Sequence, residues 1–204
     1  MLSLVHQPGR GADTAPGPVL DPESEALAAL DRGRLEEALA VLMRAYGDAV
    51  YRLCRQMMGD EDLAQEVHQM TFVQAYESLP RFARRSSLRT WLFGIARHRC
   101  LDLLKTARRR NRRFGPIEET LEPPAPEGSA EDRLAERSVS RALGDCLRGL
   151  APRVRATVLL RFQQGLSYPE IARLSDEKAP ALQVRVARAL PLLRHCLEEK
   201  GMAP

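Results

Sequence analysis

The chain has 204 residues, of which 44% are hydrophobic and 5% aromatic, with 31 Lys and Arg against 27 Asp and Glu. This size and composition fit one medium domain or two small ones and argue against a long disordered tail. No run of apolar residues approaches the roughly 20 that a membrane span requires, and the first residues lack the apolar core of a signal peptide. We therefore expect a cytoplasmic protein with no membrane partner.

Charge is distributed in blocks along the chain. The net charge of +4 is made up of −7 over residues 1–80, +11 over 81–113, −6 over 114–136 and +6 over 137–204. Alternating blocks of this kind are typical of basic surfaces that bind a polyanion, separated by acidic segments that face a protein or keep the basic surfaces apart. Nucleic acid is the leading candidate partner.

The first half of the chain predicts a helical domain. Residues 1–25, rich in proline and glycine, are predicted to form a flexible tail. Apolar residues at spacings of three and four then predict a long helix from Leu35 to Met57, and a second helix capped by Asp60. The basic loop 81–87 leads to Ser87, which can cap a third helix with an apolar face and an arginine face.

The second half predicts another helical domain. Residues 114–133 form an acidic, proline-containing stretch without apolar periodicity, which predicts a flexible linker between domains 26–113 and 134–204. In the second domain, Ser167 and Glu170 have the spacing of a capping box before a short helix, and a longer helix is predicted from Pro180 to Glu198. No segment alternates with period two, so the expected fold is all-α, with the second domain a helix-turn-helix.

Four cysteines stand far apart and form no CxxC pair, which favours small buried thiols over a disulfide framework or a zinc site. The sequence also lacks a phosphate-binding glycine loop, a nucleophile motif and a catalytic pair of carboxylates. We expect no enzyme activity, no catalytic residue, no metal and no cofactor.

The last helix is the candidate for binding DNA in a groove, because the second helix of a helix-turn-helix lies there. Its side chains that can contact bases or phosphates are Lys178, Gln183, Arg185 and Arg188. The alternative interpretation is a solvated face on a small helical bundle.

Two stretches in a fixed order resemble the extracytoplasmic-function sigma factors, which bring bacterial RNA polymerase to promoters. DEDLAQEVHQMTFVQAYESLPRF followed by SSLRTWLFGIARHRCLDLLK is similar to the family's core-binding and promoter-melting domain, and LAPRVRATVLLRFQQGLSYPEIARL is similar to the start of its upstream-element domain. The resemblance implies a dissociable sigma factor whose partners are core RNA polymerase, promoter DNA and an anti-sigma protein.

The resemblance assigns roles to two groups of residues. The surface that binds core polymerase would comprise Glu61, Asp62, Gln65 and Glu66. The surface that holds the opened downstream promoter element would comprise Arg81, Phe82, Arg84, Arg85, Arg89, Arg97 and Arg99. Phe82 is the candidate for stacking on an unpaired base, whereas the helical position of Trp91 favours packing in the core. The basic run from Lys105 to Arg113 is expected to contact phosphates.

The second domain departs from the family's pattern. Asp176 stands where members usually have a glycine in the turn, and Ala181, Gln183 and Val184 replace the usual polar residues of the recognition helix. Pro191 falls inside that helix and is expected to kink or shorten it. These changes favour an alternative, a sigma-like adaptor that binds a regulator without directing transcription. A second alternative is a dimeric repressor that uses only the helix-turn-helix, which would leave residues 30–110 unexplained.

Overall fold

The computed structural model describes residues 21–114, 130–175 and 177–202, and all regular structure in them is helical. Residues 1–20 and 115–129, which hold most of the predicted tail and linker, and Asp176 lie outside this part of the chain. None of the described helices is long and apolar enough to cross a membrane. The helices are α1 (Pro22–Asp31), α2 (Leu35–Met58), α3 (Glu61–Ser78), α4 (Leu88–Phe114), α5 (Ala130–Gly149), α6 (Pro152–Val158), α7 (Tyr168–Arg173) and α8 (Ala179–Glu199).

Helices α1 to α4 form the first domain, and their ends follow the signals in the sequence. The Asp60 side chain accepts a 2.8 Å hydrogen bond from the Leu63 amide at the start of α3, and the Ser87 hydroxyl accepts one of 3.0 Å from the Thr90 amide at the start of α4. Gly59 ends α2 with a φ of 76°, a conformation that costs an L residue energy. Helix α1 begins at Pro22, inside the segment that the sequence predicts to be a tail.

Helices α5 to α8 form the second domain. The capping box is present: the Ser167 amide donates to the Glu170 carboxylate at 2.8 Å, and the Glu170 amide donates to the Ser167 hydroxyl at 3.4 Å. Between α6 and α7, a π-helical turn covers Leu159–Gln163.

The predicted last helix is confirmed, whereas the expectation for the cysteines is wrong. Helix α8 runs from Ala179 to Glu199, close to the predicted Pro180–Glu198, and Pro191 inside it does not shorten it. Cys146 and Cys196 form a disulfide between α5 and α8, with their Cα atoms 5.8 Å apart, whereas only Cys54 and Cys100 are buried thiols. Packing of α5 on α8 explains the disulfide, because it brings together cysteines 50 positions apart.

The two domains share one hydrophobic core. Buried residues of α2 and α4, including Leu53 and Phe93, belong to the same continuous cluster as Leu160 and Leu182 of the second domain. A smaller cluster lies between α1, α2 and the start of α4. The sequence predicts two domains joined by a linker, but it does not predict that they pack against each other.

Candidate nucleic-acid interface

The start of α3 presents an acidic surface. Asp62, Gln65 and Glu66 are exposed there, and Glu61 is half-buried with its carboxylate 3.8 Å from the Arg55 guanidinium. Asp60 holds the first turn in place from the N-cap position. Carboxylates in the first turn of a helix are stabilised by the helix dipole, which favours the negative charge of Glu61 and Asp62 on this surface.

The basic loop after α3 is built around an aromatic pair. Phe82 packs on Trp91 with a ring centroid separation of 5.3 Å and is half-buried. Arg84 has a φ of 54° and forms an ion pair with Asp31 of α1, while Arg81 and Arg85 are exposed. The loop therefore holds three arginines and one partly covered aromatic ring close to the start of α4.

The arginine face of α4 is already engaged within the protein. Arg97 is only 8% exposed, and its guanidinium donates a 3.0 Å hydrogen bond to the Leu174 carbonyl in the second domain. The Arg89 guanidinium donates to the Gln164 carbonyl of the same domain. Arg99 donates to the Gln74 side chain within the first domain. Further along α4, Lys105 and Arg108–Arg110 are exposed, whereas the side chains of Arg112 and Arg113 lie outside the described residues.

A cavity of about 630 Å³ lies beside this face. Its first-domain lining includes Gln74, Arg85 and Trp91, and the second domain contributes Arg173 and Leu174 to its wall. Cationic and aromatic side chains together suit a nucleotide, since they supply contacts to phosphate and a surface for stacking. In the part of the chain that the structure describes, no group of three or more His, Cys, Asp or Glu is placed to hold a metal ion.

The predicted recognition helix α8 is only partly available. Lys178, Gln183 and Arg188 are exposed. Arg185 instead forms an ion pair with Glu177, which lowers the pKa of Glu177 and raises that of Arg185. Because Arg185 and Glu177 pair with each other, Lys178, Gln183 and Arg188 are the predicted residues that remain open to DNA.

Sequence reasoning missed two buried polar residues that join the domains. The Arg155 guanidinium donates to the Met57 carbonyl at 2.6 Å and to the Arg148 carbonyl at 3.1 Å. The Gln164 side chain donates to the Ala49 carbonyl at 3.2 Å. The burial of Arg155 could have been predicted from its position on α6 between apolar neighbours, where a solvated arginine is not expected.

Comparison with known proteins gives matches in both domains. Residues 42–110 match the family described as sigma-70 region 2, and residues 140–193 match sigma-70 region 4. The extracytoplasmic-function RNA polymerase sigma factor BldN of Streptomyces coelicolor is 31% identical over 186 residues, which cover 89% of this chain and 70% of BldN. The sigma factor SigC of Mycobacterium tuberculosis is 32% identical over 154 residues, 74% of this chain and 79% of SigC.

Two solved structures share the fold. The sigma factor RpoE, solved with the anti-sigma factor NepR from Bartonella quintana, matches with a TM-score of 0.60 and 23% identity over 76% of this chain and 94% of RpoE. CnrH, solved with the cytosolic domain of CnrY, matches with a TM-score of 0.65 and 24% identity over 88% of this chain and 99% of CnrH.

Proposed function

This chain belongs to the extracytoplasmic-function sigma factors of RNA polymerase, and we propose how its surfaces divide the work of directing transcription initiation. Such a factor binds core polymerase and promoter DNA. Sigma factors are not enzymes, because the polymerase performs the chemistry of chain synthesis. We propose that the protein acts in the cytoplasm, where the polymerase acts.

Core polymerase binds the acidic start of α3. Asp62, Gln65 and Glu66 are exposed on two successive turns, so they can meet a basic helical partner together, with Glu61 at the edge of the surface. Complementary charge of this kind orients the two proteins and speeds their association. The Asp60 cap supports the proposal, since it stabilises the first turn of α3 that carries Glu61 and Asp62.

The opened promoter strand lies along the basic loop and α4. Arg81, Arg84 and Arg85 supply phosphate contacts, and the Phe82 ring can stack on an unpaired base. Arg89, Arg97 and Arg99 are further candidates on α4, but each would first have to exchange its acceptor within the protein for a phosphate oxygen. The single observation that carries this assignment is the cavity of about 630 Å³ beside Trp91 and Arg85, which offers room for a base outside the stack.

Upstream promoter DNA is contacted by α8. Gln183 and Arg188 lie on exposed positions of this helix and Lys178 precedes it, so side-chain contacts to base edges and phosphates are open to them. Arg185 would contribute once DNA phosphates compete with Glu177 for its guanidinium. The helix-turn-helix order of α7 and α8 supports this placement.

An anti-sigma protein is the regulatory partner that we propose. The support is the relative from Bartonella quintana, which was solved in a complex with its anti-sigma factor NepR. Binding across the α4 surface or the acidic start of α3 would block the steps assigned above.

A sigma-like adaptor is the second candidate. The observation that favours it is the exposed apolar face on α8, where Val184 is 50% and Leu192 62% exposed around the helix-interior Pro191. An apolar surface suits a protein partner better than a DNA phosphate backbone.

One experiment separates the two candidates. Purified protein is mixed with core RNA polymerase and fragmented genomic DNA from its source, and the 5′ ends of the transcripts are sequenced. We expect defined new start sites that share an upstream motif. Core binding in the same tube without new start sites would instead establish the adaptor.

A further inference from the structure

We propose that a cleft between the two domains binds a small anion of the nucleoside triphosphate class. The cleft lies between the second half of α4 and the segments at the start of α6 and the end of α7. We call this space the interdomain cleft. The inference goes beyond the proposed function, because it requires neither core polymerase nor promoter DNA.

The interdomain cleft has the size of a small-molecule site. Its volume is about 690 Å³, and such sites usually measure about 300–1,000 Å³. One wall is a single face of α4 and comprises Arg97, Leu101, Lys105 and Arg108. The other wall belongs to the second domain, and the 3.0 Å hydrogen bond from Arg97 to the Leu174 carbonyl joins the two.

The lining of the cleft carries an excess of positive charge. Its cations are Arg97, Lys105, Arg108, Arg153 and Arg173, against the two carboxylates of Asp102 and Glu177. Apart from Arg97, none of these cations forms an ion pair with another residue in the described part of the chain. An anionic ligand between the walls can pair with cations from both domains.

The two carboxylates do not cancel this charge, because each has a partner of its own. The Asp102 carboxylate lies 3.2 Å from the His98 imidazole, and Glu177 forms an ion pair with Arg185. The hydrogen bond from Arg185 lowers the pKa of Glu177, and the charge of Arg153 lowers it further. The field of Arg153 therefore extends along the lining and favours negative charge there.

A triphosphate chain matches this arrangement better than a single small anion does. The cations stand on both walls, so a ligand with several linked charges can contact both at once. Arginine guanidinium groups donate pairs of parallel hydrogen bonds to phosphate oxygens. The apolar part of the lining includes Leu101, Leu104 and Pro152, which offer a surface for a nucleoside. Charge and apolar surface together favour a nucleoside triphosphate over inorganic phosphate.

Calorimetric titration of the free, full-length chain with ATP tests the site. The titration is run at physiological salt without added divalent cations, so that the phosphates keep their charge. Inorganic triphosphate and adenosine are the comparison ligands. We expect ATP to bind at one site and at least about tenfold more tightly than either of them, because only ATP supplies both the charges and the apolar contact.

Two variants remove cations from one wall each. Arg153→Ala/Arg173→Ala alters the wall of the second domain, and Lys105→Ala/Arg108→Ala alters the wall of α4. We expect each variant to lose at least about tenfold in affinity for ATP, since charged hydrogen bonds to phosphate are removed. All four side chains are exposed, so both variants should fold as the natural chain does.

The matched control removes the same charge elsewhere. Arg52→Ala/Arg194→Ala replaces two exposed arginines that do not line the cleft, and it should bind ATP as the natural chain does. Thermal unfolding gives a second measurement. Because ATP binds the folded chain across both walls, saturating ATP should raise the Tm of the natural chain and of the control, but not that of the cleft variants. Circular dichroism before heating checks that the helices are retained.

Each remaining outcome would overturn the inference. Absence of ATP binding to the natural chain, or equal loss of affinity in the cleft variants and the control, would remove the site. Equal affinity for ATP and inorganic triphosphate would remove the nucleoside from the assignment. Complete displacement of ATP by a short DNA duplex at the same phosphate concentration would assign the cleft to the DNA backbone instead. None of these measurements involves transcription, so a failure of the proposed function is detected separately by the start-site experiment.

Discussion

The Arg155 guanidinium donates a 2.6 Å hydrogen bond to the carbonyl of Met57, which lies 98 residues earlier in the chain. Arg155 is only 6% exposed, and burial, followed by the nearby charge of Arg148, lowers its pKa. A second bond to the Arg148 carbonyl satisfies another of its donors at 3.1 Å. One buried cation thus joins the last turn of α2 to the second domain.

Replacing this arginine should destabilise the whole molecule. In Arg155→Met, the carbonyls of Met57 and Arg148 lose the hydrogen bonds that the guanidinium donates, and we expect the free energy of unfolding in urea to fall by about 1–3 kcal/mol. Arg153→Met is the matched control, because Arg153 is exposed on the same helix and its loss should change stability by less than about 0.5 kcal/mol. Equal stability of the two variants would contradict a role for Arg155 in joining the domains.

Reversing charge at the start of α3 should abolish binding to core polymerase. Asp62→Lys/Glu66→Lys replaces two exposed carboxylates and leaves the Asp60 cap intact, so helical content should not change. The change in affinity is measured by titrating labelled protein with core polymerase. Glu198→Lys/Glu199→Lys carries the same change in charge on the exposed last turn of α8 and should bind normally. Normal binding by both variants would remove α3 from the polymerase interface.

Phosphate contacts by the basic loop should appear in the salt dependence of promoter binding. For Arg84→Ala/Arg85→Ala, we expect weaker promoter complexes on every sequence, and a log–log slope against salt that is shallower by about two units. Arg32→Ala/Arg34→Ala removes two exposed arginines that also have carboxylate partners, and its slope should match that of the natural chain. An unchanged slope in the first variant would place the loop away from the DNA backbone.

The disulfide between Cys146 and Cys196 should stabilise the second domain. It closes a loop with a sequence separation of 50 residues, so Cys146→Ser/Cys196→Ser should lower the free energy of unfolding by about 2–4 kcal/mol. The natural chain in reductant should show a similar loss, measured by thermal unfolding. Cys100 serves as a comparison within the same chain. A hydrogen bond with Cys54, followed by burial, raises the pKa of its thiol, so a thiol reagent should not label it before unfolding.

Acid should weaken the contact between Glu170 and Thr90. Hydrogen bonds from Ser167, and to a smaller extent from Thr90, hold the pKa of Glu170 below its ordinary value of 4.5. The ionised carboxylate therefore contributes its full stabilisation above pH 4.5 and loses it as the pH falls through the lowered pKa. We expect the stability difference between the natural chain and Glu170→Gln to shrink on acidification, as measured by urea unfolding at successive pH values. A difference that stays constant with pH would contradict the assignment.

The sequence by itself determined most of the helices and their ends, although not α1, which begins inside the predicted tail. The helix ends lie where the sequence predicts them: Gly59 terminates a helix, and the caps are Asp60, Ser87 and Ser167. Capping depends only on residues within about four positions of the helix end, so it can be predicted from the local sequence. The acidic and basic surfaces follow from the same local patterns, since exposed faces are set by helical periodicity. The family was also visible in two stretches of contiguous sequence.

Only the tertiary structure decided how the domains meet. Arg97 looks like a DNA contact in the sequence, yet the Leu174 carbonyl that accepts its hydrogen bond is 77 residues away. Cys146 and Cys196 carry no local sign of pairing, because their proximity follows from the packing of α5 on α8. Contacts between distant segments depend on how buried surfaces fit together, and a pattern of neighbouring residues does not contain that information.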